Sequence, residues 1–113
     1  MQPEAKKYLF DIQTAANLLD TFVSGRNFAE YQHDLMLRAA TERQFEVIGE
    51  AISQLARIDP ATAAQISEYQ RIIAFRNILI HGYAEIDNRL VWDIIQTRLP
   101  RLREEASALL NDT

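Results

Sequence analysis

The run Phe45-Glu46-Val47-Ile48-Gly49-Glu50-Ala51-Ile52-Ser53-Gln54-Leu55 decides the fold class. Phe45, Ile48, Ile52 and Leu55 recur at steps of 3, 4 and 3, the spacing that lines one stripe of an α-helix. Outward toward the N-terminus, Asp34 is a fitting N-cap for this segment. Outward toward the C-terminus, Asp59-Pro60 closes it near Ile58, because the residue before a proline is pushed out of helical geometry. Thr41-Glu42-Arg43-Gln44 also fits a capping box, so a start or break nearer Thr41 is a second reading of the same stretch.

The flanking stretches carry the same period. From Glu4 to Ser24, the residues Tyr8, Ile12, Ala15, Leu19 and Phe22 form another stripe, and Gly25 supplies its stop. Arg26 to His33 is a connector with room for one helical turn, and Pro60 to Ser67 is a turn or a short helix. Tyr69 to His81 places Ile72, Phe75 and Leu79 on one face, Gly82 ends it, and Ala84 to Asn88 is a polar loop. Asn88 to Asn111 carries Val91, Ile95, Leu99, Leu102, Ala106 and Leu109 in helical register, with a kink expected at Pro100. No stretch alternates with period two and no Asn-Gly hairpin turn is present, so strands are not expected. These segments predict an all-α protein: an antiparallel four-helix bundle with an additional short helix or turn.

A chain of 113 residues has room for one core, so residues 1–113 are read as a single domain. With no cysteine, disulfides, thiolate metal sites and a cysteine nucleophile are excluded. The opening residues lack a signal-peptide core and no apolar run suits a membrane span, which makes a soluble, cytoplasmic protein the expectation. The net charge of −4 argues against indiscriminate coating of nucleic acid, which needs a surplus of Lys and Arg.

The chemistry-bearing stretch is Arg71-Ile72-Ile73-Ala74-Phe75-Arg76-Asn77-Ile78-Leu79-Ile80-His81-Gly82-Tyr83. Arg76, His81 and Tyr83 bring three reactive side chains to the end of an otherwise apolar helix. A guanidinium is permanently charged and its planar fork matches phosphate oxygens. A histidine, ordinarily titrating near ~6.5, passes protons at neutral pH. At roughly 100° per residue, however, Arg76 and His81 lie about 140° apart around a straight helix. Either the helix unwinds near Gly82, or two chains each contribute a copy of the motif. Metal-free RNA cleavage needs one group to accept a proton and another to donate one, and the only other histidine, His33, lies in the distant connector. A two-fold dimer joined across this helix would gather two His81 and two Arg76 in one cleft.

The octapeptide Arg76 to Tyr83 resembles the Arg-x4-His-x-Tyr signature of HepT proteins in the HEPN superfamily. Tyr8-Leu9-Phe10-Asp11-Ile12 is similar to the opening helix of that family, and Phe45 to Ala51 to its Ile-Gly-Glu-Ala helix. Val91-Trp92-Asp93-Ile94-Ile95 with Leu99-Pro100 resembles its closing helix, and Tyr69 stands where the family often has tryptophan. The resemblance implies a metal-independent endoribonuclease toxin of a toxin–antitoxin pair, a homodimer with the motif at its interface, and no cofactor. It implies RNA as substrate and a minimal nucleotidyltransferase (MNT) as antitoxin, which adds AMP to the motif tyrosine. By position, Arg76 and His81 would be catalytic, Tyr83 the AMPylation site, and no metal would be bound. A phosphate ester on Tyr83 would put negative charge and bulk in the RNA path.

Each residue also has a plainer reading. Alone, His81 is a helix-terminal histidine favoured by the dipole and Arg76 a surface ion pair. Asn77 either orients the His81 ring, as a supporting residue, or caps a backbone group. Glu42, Glu46 and Glu50 form a row at four-residue spacing that reads as a solvated face sooner than a metal site, since no histidine is in register. Trp92 reads as core or dimer interface, and His33 as a solvated connector residue. A rival function is a non-catalytic helical partner that binds and regulates a nucleotidyltransferase.

Overall fold

The apolar stripes fold as helices, in the computed structural model that describes residues 1–82, 84 and 86–112. In chain order these are α1 (Pro3–Val23), α2 (Phe28–His33), α3 (Leu35–Ile58), α4 (Pro60–Ala63), α5 (Tyr69–His81), α6 (Asn88–Thr97) and α7 (Leu99–Asn111). No strand occurs among the described residues. α3 is the centre of the bundle: α1 packs along one side of it and α5 along another, while α7 packs on α1. The result is an all-α bundle built on α1, α3, α5 and the α6–α7 pair, with α2 and α4 as short connectors.

Side-chain caps set the starts of α2, α3, α4 and α6. Asn27 and Glu30 form a reciprocal capping box on α2, with Glu30 N donating to Asn27 Oδ1 at 2.9 Å and Asn27 N to Glu30 Oε1 at 3.0 Å. Asp34 Oδ1 accepts from Leu37 N at 3.0 Å, so α3 starts there and runs unbroken through Thr41, whose capping-box pattern goes unused. Asp59 caps α4 through Thr62 N and Oγ1. Asp87 caps α6 through the amides of Arg89 and Leu90. Gly25 takes a φ of 74°, the left-handed stop that glycine adopts without steric cost.

The expected kink near Pro100 is a full break. α6 ends at Thr97, and α7 begins at Leu99 with Pro100 in its first turn, where the missing N–H costs nothing. The break lets the two halves serve different neighbours, α7 packing on α1 and α6 on α2.

The core is continuous from Leu9, Ile12, Ala16 and Leu19 of α1 to Ile48, Ile52 and Leu55 of α3, all of them with no exposed surface. Each such Leu or Ile contributes roughly 1.5–3 kcal/mol through burial. Trp92 is buried and packs its ring on Tyr31 with centroids 5.4 Å apart. Phe45 meets Phe75 edge to face at 5.2 Å, the main weld between α3 and α5.

Tyr31 and Glu42 sit where α2 covers α3. The Tyr31 hydroxyl is buried with no hydrogen-bond partner, and burial, reinforced by the Glu42 charge, pushes its pKa upward. Burial likewise raises Glu42 above the ordinary 4.5; Arg38 opposes this and Glu46 adds to it. A carboxyl whose folded pKa is raised contributes its full stability below the unfolded value and loses it as pH climbs through the folded value. Glu42→Gln should therefore melt at a higher temperature than wild type at pH 7. The gap should close as the pH is lowered below 4.5, which thermal denaturation at the two pH values will show.

Candidate active site

The helix that carries the motif is held mainly at its start. No side chain caps α5; instead Glu68, its N-cap residue, takes a left-handed φ of 54° and ion-pairs with Arg71 at 3.0 Å and with Arg98. Ser67 Oγ donates to Glu105 Oε2 of α7 at 2.6 Å, with the Ser67 amide on the same carboxylate. From there to its C-terminal end α5 rests chiefly on α3, burying only Phe75 and Leu79. Its flank toward α6 and α7 opens on an apolar cavity of about 230 Å³ walled by Phe45, Ile72, Phe75, Ile94, Leu99 and Leu102.

Arg76 is the most constrained polar residue on α5. Its stem lies across Gly49 of α3 so closely that a Cβ at Gly49 would overlap Arg76 Cβ and stand 2.7 Å from Cγ. Its Nη2 donates to Glu50 Oε2 at 2.8 Å and its Nη1 to Asn77 Oδ1 at 2.8 Å. Nε is buried without a partner. The Arg76 side chain keeps 26% of its surface exposed, so the fork is fixed in direction yet reachable from solvent. Two bonds to acceptors leave further N–H groups on Nη1 and Nη2 to meet an anion.

His81 is the last residue of α5 and is exposed. The helix does not unwind before it: Gly82 N donates to Ile78 O at 2.7 Å, closing a regular last turn. Arg76 and His81 of one chain therefore point to different sides of the same helix. Between them Ile78 stands half exposed, at 50%, although it is a large apolar side chain. Tyr83, the expected modification site, lies outside the described residues.

Asn77 therefore spends its side-chain oxygen on Arg76, and His33 is exposed at the end of α2. Two residues were missed as parts of the site. Glu50 reads as one of a solvated acidic row, yet it orients the guanidinium. Gly49 reads as an unremarked helix position, yet it is the notch that admits the Arg76 stem. Its signal was present: glycine inside a helix costs about 1 kcal/mol relative to alanine, which points to a close approach. The acidic row forms no metal cluster, and no group of three or more candidate ligands is found among the described residues.

The family model described as "Ribonuclease HepT-like" matches residues 12–109. A Methanocaldococcus jannaschii protein named "Putative RNase MJ1380" is 32% identical over 102 residues, covering 90% of this chain and 93% of its own. "Probable ribonuclease HepT" of Thermococcus cleftensis is 28% identical over 103 residues, covering 91% of this chain and 93% of its own. No solved structure matches. The chain belongs to the HepT-like ribonuclease family of the HEPN superfamily.

Proposed function

We propose that this protein is a metal-independent endoribonuclease toxin that cuts RNA at a site composed from two copies of α5. The observation that carries the reading is the regular helix through His81. Because Arg76 and His81 of one chain face about 140° apart, a single phosphate is gripped by both only when a second chain supplies one of them. The exposed Ile78 on the same helix favours burial against that second chain.

In the cleft so formed, His81 takes the proton from an RNA 2′-hydroxyl. The freed oxygen attacks the adjacent phosphorus, and the 5′-oxygen leaves with a proton from His81 of the partner subunit. The products are a 2′,3′-cyclic phosphate and a 5′-hydroxyl end. Arg76, aimed by Glu50 and Asn77, binds the charge that builds on the non-bridging oxygens in the transition state. Glu50 is a positioning residue that acts through Arg76. An MNT antitoxin neutralises the enzyme by transferring AMP from ATP to the Tyr83 hydroxyl, with pyrophosphate as the leaving group and the hydroxyl proton lost, which places a charged ester two residues from His81.

Purified, unmodified protein should cut a mixed cellular RNA pool in the presence of EDTA and leave cyclic phosphate ends. If several RNA classes stay intact under these conditions, the rival reading takes over, a non-catalytic partner that regulates a nucleotidyltransferase. The net charge of −4 and the engagement of Arg76 by Glu50 favour that rival.

A further inference from the structure

Beside Arg76 a polar cleft of about 540 Å³ runs between α1, α3 and α5, a volume within the roughly 300–1,000 Å³ of small-ligand sites. Its charges are unequally committed. Lys7 pairs with Asp11 at 3.4 Å and Glu50 with Arg76 at 2.8 Å. Arg43 and Glu46, also in the cleft wall, form no side-chain ion pair or hydrogen bond among the described residues. They are three apart on α3, the spacing at which opposite charges on a helix meet, and still they do not pair. One free cation and one half-buried free carboxylate are thus presented to the same space. The half-buried ring of Tyr8 forms part of its wall.

We propose that this cleft is a base-reading subsite that takes one unpaired guanine nucleotide of an RNA strand next to the cleavage point; it rests on the ribonuclease reading above. A nucleotide offers what the uncommitted groups lack: an anionic phosphate for Arg43 and a base edge with N–H donors for Glu46. Guanine alone presents two adjacent donors, N1–H and the N2 amine, matching the two oxygens of a carboxylate. Uracil presents one. The base stacks on the Tyr8 ring, displacing Lys7, whose ammonium lies 5.5 Å from the ring centroid, as unpaired RNA bases do on aromatic platforms. The balance of charge also accounts for an acidic protein acting on RNA, since the site reads a single nucleotide and does not coat a strand.

The test is anisotropy binding of uncleavable 2′-O-methyl tetranucleotides that carry G, A, C or U at each position in turn. Wild type should prefer G over U by about tenfold, the order of a good bidentate contact, and Glu46→Gln should collapse that ratio toward one. Arg43→Ala should weaken all four equally and reduce the salt slope by about 0.7. Tyr8→Leu should lose roughly fivefold or more for every base, with Tyr8→Phe restoring it. Arg101→Ala, exposed on α7, should change nothing. Equal binding of all bases by wild type, unaltered in Glu46→Gln, would overturn the subsite even where RNA is cut in EDTA. Guanine-selective binding lost in Glu46→Gln, without cleavage, would uphold the subsite and sink the ribonuclease reading instead.

Discussion

His81→Ala protein should cleave RNA at least about 1,000-fold more slowly than wild type while melting at the same temperature. The two halves of this expectation have separate causes. His81 is exposed at the end of α5 and makes no side-chain hydrogen bond or ion pair among the described residues, so its removal takes nothing from their packing. In a two-fold site its loss removes both the acceptor and the donor of protons, a larger effect than losing one of them. Full residual activity would remove His81 from the mechanism. Mixing His81→Ala with wild type extends the test to the composite site. Half of the dimers formed at random from an equal mixture are mixed, and each holds one His81 where cleavage needs two, so activity should fall to about a quarter of that of the same amount of wild type. A fall to only about one half would mean that each His81 works by itself and would sink the shared cleft.

Gly49→Ala should destabilise the protein, although helix propensity alone predicts the opposite. In an unobstructed helix the change gains about 1 kcal/mol. Here the added methyl falls on Arg76 Cβ, an atom fixed to the backbone that no rotamer change carries away, and comes near Cγ. α3 and α5 must separate or Arg76 must leave its groove, and overpacking of this kind costs about 1–3 kcal/mol. The melting temperature should fall by roughly 5–15 °C. Cleavage should fall further than the lost folded fraction explains, because the guanidinium would no longer lie over Glu50. A rise in melting temperature would contradict the close packing of α3 on α5.

The difference between these residues shows how far the sequence could be read. Helical periodicity is a local property, so Phe45, Ile48, Ile52 and Leu55 announce α3 by themselves, and Asp34, Asp59 and Gly25 mark ends because caps act within a few residues. The α6–α7 break was legible as to place, through Pro100, but not as to degree, since the separate packing of each half decides whether a helix bends or divides. Arg76 and His81 stand out because their chemistry is unusual on an apolar helix. Glu50 does not stand out, because a glutamate on a helix face is ordinary until a second helix brings a guanidinium 26 residues away onto it. The Asn77 contact was hidden for a related reason: a rotamer choice between adjacent side chains leaves no trace in spacing.

α5 is fastened at its first turn to α7, lies along α3, and has open ground on its remaining flank. A helix held in this way has less to lose by opening locally than one packed on every side. The motif therefore sits on a latch whose closure is governed by whatever covers that flank. If a second chain is the cover, readiness to react becomes a function of protein concentration: at low dose the bundle persists with its reactive end loose, and potency rises more steeply than in proportion to the amount made.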